Sequence, residues 1–126
     1  MWVYEKRLQF PVNIKRPDPK AAQIIISQYG GPDGEMGASM RYLSQRYSMP
    51  DNKVAGLLTD IGTEELAHLE IVATMVHQLT RNLTPEQIMN SGFAPYYTDH
   101  TVGVWPQAAG GIPFNACEFQ VKGDPI

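Results

Sequence analysis

The sequence has one cysteine, Cys117, among 126 residues. With no second thiol, the fold cannot depend on an internal disulfide or on an oxidising compartment. No motif surrounds Cys117, so it reads as a small packing residue and not as a nucleophile. Basic charge is also short: Lys and Arg number 10 against 13 Asp and Glu, a net charge of −3. That balance excludes a general nucleic-acid binder, which would carry a basic face. No apolar run approaches the ~18 to 20 residues needed to cross a bilayer. The start, MWVYEKRLQFPV, has charges within its first seven residues and no apolar core of signal-peptide length. The expectation is a protein made and kept inside a cell, with no membrane and no nucleic acid among its partners. Internal repeats and low-complexity segments are absent too. What is present, 43% hydrophobic and 18% charged residues, describes a single globular domain over 1–126.

Proline and glycine divide the chain. Residues 1–17 form a proline-punctuated lead-in, with one short extended piece expected from Trp2 to Gln9. Asp18-Pro19 reads as an N-cap followed by proline at the first helical position. A helix is expected from about Pro19 to Tyr47, kinked or opened at Gly30-Gly31-Pro32, where Pro32 removes a hydrogen bond. Pro50 ends the connection, and Asp51 caps a second helix that runs to about Arg81. Thr84-Pro85-Glu86-Gln87 has the capping-box pattern of a short third helix closed by Gly92. Residues 93–126, rich in proline and glycine, read as an extended, wrapping tail. The organised part is therefore an antiparallel helical hairpin over 18–82, which makes the fold all-α.

The stretch TDIGTEELAHLEIV, 59–72, places two polar groups where a core tolerates them least. At about 100° per residue, Val54, Leu58, Ile61, His68, Leu69, Val72, Val76 and Leu79 all fall within about 60° of Glu65. Glu65 and His68 thus lie inside the apolar stripe. An unpaired carboxylate there would cost several kcal/mol or be forced to protonate. Glu64 and Glu70 point elsewhere as solvated charges, and His77 lies about 120° off the stripe. A Glu-x-x-His pair is ordinarily a surface contact, but the stripe removes the exposure that such a contact needs. A satisfied, buried Glu–His hydrogen bond stays open as the bland alternative.

The first helix supplies Glu35, in GGPDGEMGAS. Glu35 and Glu65 each stand about 15 residues from a turn centred near residue 50, hence ~22 Å from it at ~1.5 Å per residue. In an antiparallel hairpin they face each other at one height. Gly31, Ala38 and Ser39 leave room beside Glu35, and Tyr42 falls on the same face, where it could hydrogen-bond a carboxylate. One helix giving Glu and its partner giving Glu-x-x-His is the arrangement of di-metal carboxylate bundles. Two divalent ions would offset the carboxylate charges, and oxygen and imidazole donors suit manganese or iron.

MWVYEKRLQFPV, QYGGPDGEMGASMRYLSQRYSMP, GLLTDIGTEELAHLEIVATM and the closing KGDPI resemble the manganese catalase family, in particular its spore coat member, over essentially the whole chain. The resemblance implies a ferritin-like four-helix bundle, of which this hairpin is half. It also implies a centre of two manganese ions that disproportionates hydrogen peroxide to water and oxygen. By the family's pattern Glu35 and His68 would be terminal ligands of one ion, and Glu65 would be the catalytic bridge to the second. Tyr42 would support a ligand from outside the coordination sphere. Synthesis in the mother cell and assembly into the spore coat are further implications.

Family members continue past GDPI into two more helices that carry a second Glu and a second His, whereas this sequence stops at Ile126. A lone hairpin cannot bury both its apolar stripes. The expectation is a piece of a longer chain; the alternative is that two hairpins associate as a homo-oligomer, or that the chain packs on other coat proteins. Two rival functions stay open beside peroxide disproportionation. One is a structural coat building block whose metal site is non-catalytic; the other, iron oxidation or storage, follows from architecture only.

Overall fold

The computed structural model describes residues 3–29 and 34–96, and all of its regular structure is helical. In chain order the α-helices are α1 (Pro19–Ile25), α2 (Glu35–Gln45), α3 (Asn52–Thr80) and α4 (Pro85–Asn90). Single 3-10 turns follow α1 at Ile26–Gln28 and α2 at Arg46–Ser48, and a third covers Ala94–Tyr96. The all-α expectation and the pairing of α2 with α3 hold.

The capping residues act as the sequence implies. The Asp18 carboxylate accepts from the Ala21 N–H, with Pro19 opening α1. Asp51 accepts from Lys53 N–H at 2.6 Å and opens α3. At α4 both halves of the Thr84–Gln87 capping box are made. Gly92 follows with φ +78°, a left-handed conformation that glycine adopts without strain.

Three boundaries differ from expectation. The first long helix does not reach Gly30 as an α-helix: it tightens at Ile26, where the run Ile24-Ile25-Ile26 crowds the turn with β-branched side chains. The expected break at Gly30-Gly31-Pro32 itself lies outside the described residues. The lead-in forms no strand over residues 3–9, and Lys6 takes a positive φ of 57° that an extended strand does not allow. Instead, its groups are satisfied by side chains of α3. Gln78 accepts from the Ile14 N–H and donates to the Val12 carbonyl, while Arg81 donates to the Ile14 carbonyl. Finally, the tail begins with a 3-10 turn and not as extended chain. Residues 97–126, including Cys117, lie outside the described residues.

That turn makes the core. Phe93 and Tyr96 stack with ring centroids 4.7 Å apart and are buried with Ala22, Ile26, Val72, Val76 and Leu79. The apolar stripe of α3 is therefore sealed only toward its C-terminal end. Nearer its start Leu58 and Ile61 are half-buried and Val54 is exposed. Among the described residues, α2 and the 3-10 turn after it pack on one side of that stretch.

Phe93 is fully buried, whereas Met89, on α4, is 71% exposed. Phe93→Ala should lower unfolding free energy by about 3 to 5 kcal/mol. Met89→Ala should change it by less than ~0.5 kcal/mol. Urea unfolding of the two variants checks this.

Candidate metal centre

Glu35 is the first residue of α2, a position where the helix dipole favours an anion. Glu65 and His68 come from the middle of α3, one turn apart, so their side chains share a face. Glu65 is only 9% exposed; Glu35 and His68 are half-buried. His68 Nδ1 lies 2.8 Å from Glu65 Oε2 and 3.6 Å from Glu35 Oε2. One donor atom from each of the three lies within 4.8 Å of the others.

These spacings suit one cation. Metal–oxygen and metal–nitrogen bonds of roughly 2.1 Å place ligands at right angles roughly 3 Å apart. The separations of 2.8 and 3.6 Å bracket that edge. Two carboxylates and an imidazole also form a donor set suited to divalent manganese or iron.

Without a cation the cluster holds protons instead. Burial, then the neighbouring Glu65 carboxylate, raises Glu35 to about 7, with His68 opposing the rise. For His68, burial alone would lower the pKa. The hydrogen bond and charge of Glu65, with Glu35 and Glu64 behind it, outweigh burial and raise it. Both shifts mean that the folded protein retains protons that a cation would displace.

The other sequence candidates divide. Tyr42 is half-buried on α2, but among the described residues no hydrogen bond joins its hydroxyl to the cluster. His77 is exposed, as expected. Glu64 and Glu70 are more than solvated charges. Glu70 accepts from the Tyr4 hydroxyl at 3.1 Å, and Glu64 accepts from Gln9 at 2.9 Å. Glu64 Oε1 also stands 3.9 Å from His68 Nε2, the nitrogen facing away from the other carboxylates. The i, i+4 spacing of Glu64 and His68 was the available signal for that proximity. A groove of about 930 Å³ between lead-in and α3 borders Glu64 and Glu70, but none of the three cluster residues lines it.

Comparison with known proteins identifies relatives of this chain. Protein CotJC of Bacillus subtilis is 55% identical over all of this chain and 66% of its own length. A probable manganese catalase of Clostridium acetobutylicum is 32% identical over all of this chain and 57% of its own length. The crystal structure of KatB, a manganese catalase from Anabaena, superposes with a TM-score of 0.79 at 28% identity, covering 98% of this chain and 55% of that one. The chain thus spans between about half and two thirds of the length of these relatives. Its fold is all-α and of the ferritin-like bundle type. The profile of the manganese-containing catalases matches residues 1–126, and with two carboxylates and an imidazole converging between α2 and α3, the chain belongs to that family.

Proposed function

We propose that Glu35, Glu65 and His68 are protein ligands of a di-manganese centre that disproportionates hydrogen peroxide to water and oxygen. The observation that carries this reading is the convergence of three donors from two helices within 4.8 Å in a chain of this family. Glu35 and His68 would hold one ion as terminal ligands, and Glu65 would be shared between the two ions. Bound manganese would supply the two-electron couple that oxidises one peroxide and reduces another. Iron fits the same donors, and metal content distinguishes the two.

The chain's own residues set the protonation. His68 binds as the neutral imidazole through Nδ1, the nitrogen nearest both carboxylates, which leaves Nε2–H directed toward Glu64. Glu35, raised to about 7, gives up its proton on metal binding. Three donors amount to one ion's protein ligands plus a bridge. A complete two-ion centre would need a further Glu and His, as the family resemblance implies. The likeness to Protein CotJC supports assembly into the spore coat after synthesis in the mother cell, where other copies or other coat proteins would be its partners.

His68→Ala should remove most of the bound manganese, tenfold or more in affinity on the order expected for a lost ligand, while helix content stays unchanged. Glu65→Gln should be at least as damaging, because it removes the charge that bridges two cations. Metal analysis, circular dichroism and peroxide consumption of the full-length protein check this. Loss of stability in both variants with unchanged metal content would favour a purely structural hydrogen bond. Wild-type protein that binds neither metal nor consumes peroxide would end the catalase reading.

The protonation states make a second test. Glu35 and His68 both have folded pKa values above their ordinary ones, so the folded state binds more protons than the unfolded state across that window. The metal-free protein should therefore lose stability as pH rises from about 4.5 through 7 and past the raised His68 value. Manganese-loaded protein should show the opposite slope, because protons compete with the ion for these donors. Glu35→Gln should flatten the metal-free slope. Thermal melts from pH 5 to 8, with and without manganese, measure all three.

A further inference from the structure

One turn from the cluster, α2 and α3 touch in a way that helix packing alone does not require. Ser39 is 3% exposed, and its hydroxyl donates to the Gly62 carbonyl at 2.7 Å. Gly62 lies inside α3, where its carbonyl already serves the helix ladder, so Ser39 uses the second lone pair. Gly62 is also a point of close approach between the two helices. A Cβ built there would lie 2.8 and 2.9 Å from the Leu43 side chain and 3.2 Å from the Leu43 backbone nitrogen. The Leu43 side chain has rotamers to escape into, whereas a backbone nitrogen moves only with its helix. Gly56, six residues earlier on the same helix, has nothing within 4 Å of such a Cβ. A side chain at Gly62 would therefore have to push α2 away, whereas one at Gly56 would not.

We infer that Ser39 and Gly62 form a latch that sets the register and spacing of α2 against α3, and so positions Glu35 against Glu65 and His68. Ser39 stands four residues after Glu35, and Gly62 stands three residues before Glu65. Each latch residue is thus about one turn from the ligand it positions. A slip of one turn would displace Glu35 by ~5.4 Å, more than the whole spread of the three donor atoms. Smaller errors matter as well, since a metal site tolerates only ~0.2 Å in its bond lengths. Apolar ridges slide more easily than a directional bond, and the two carboxylates of the cluster, Glu35 on α2 and Glu65 on α3, repel when both ionise. The latch supplies a fixed point that is independent of metal and of protonation. Ser39 and Gly62 are positioning residues; neither touches the cluster.

The inference rests on the metal-centre reading for its consequence, but the latch has its own readout. In full-length protein, Ser39→Ala should weaken Mn²⁺ affinity by on the order of tenfold or more with helix content unchanged. Ser39→Thr, which keeps the hydroxyl, should restore most of that loss. Gly62→Ala should weaken it at least as much as Ser39→Ala. Ser39→Ala that lowers melting temperature while leaving Mn²⁺ affinity within about twofold of wild type would overturn the positioning role. For the metal-independent readout, nitroxide labels are placed at exposed Met40 and Leu57 after Met40→Cys and Leu57→Cys, with Cys117→Ser. Their distance distribution should shift or broaden with Ser39→Ala and Gly62→Ala but not with Ser39→Thr. An unchanged distribution would overturn the latch even if wild type binds Mn²⁺. Wild type that binds none, with a distribution that shifts, would leave the latch standing and remove the metal-centre reading.

Discussion

Two carboxylates and one imidazole share a single space between α2 and α3, and the rest of the described structure is arranged to hold them there. Glu35 and Glu65 repel when both ionise, and His68 sits between them at 3.6 and 2.8 Å. In the absence of a cation the cluster is relieved by protons: burial first, and then the neighbouring Glu65 carboxylate, raises Glu35 to about 7. A cation relieves it more completely, since it attracts all three donors at once. Burial of Glu65 at 9% exposure makes the choice sharper, because water cannot screen the charge.

The scaffold around the cluster is unequal from end to end. The C-terminal half of α3 is locked by α1, by the stacked Phe93 and Tyr96, and by the lead-in carbonyl and amide groups that Gln78 and Arg81 hold. Among the described residues, the half nearer the turn is packed by α2 and the 3-10 turn that follows it, with Val54 and Leu57 exposed. The cluster sits between the two regimes. The packing on the C-terminal side anchors Glu65 and His68.

Charged residues beside the cluster extend its influence outward. Glu64 receives Gln9 from the lead-in and approaches the distal nitrogen of His68; Glu70 receives Tyr4. Through Glu64 the lead-in is thus connected to a residue that neighbours the His68 imidazole. Such contacts join segments 55 to 66 positions apart in sequence, a separation that no local pattern announces.

The sequence by itself determined the helices and the members of the cluster. Asp18, Asp51 and the Thr84–Gln87 box start their helices where the capping chemistry requires, because such bonds depend on residues within one turn. The period of the α3 stripe identified Glu65 and His68, and equal distances from the turn picked out Glu35 by simple rise per residue. What needed tertiary structure was everything that depends on non-local contact. Residues 93–96 looked like the start of a loose tail, yet Phe93 and Tyr96 complete the core, since burial is decided by what a side chain meets and not by its neighbours in sequence. Ser39 read as one more small residue and Glu64 as a solvated charge. Only the packing of α2 on α3 decided that the Ser39 hydroxyl reaches the Gly62 carbonyl, and only the path of the lead-in decided that Glu64 is held by Gln9. Directional bonds between distant segments leave no periodic trace, so their partners become visible only when the chain is folded.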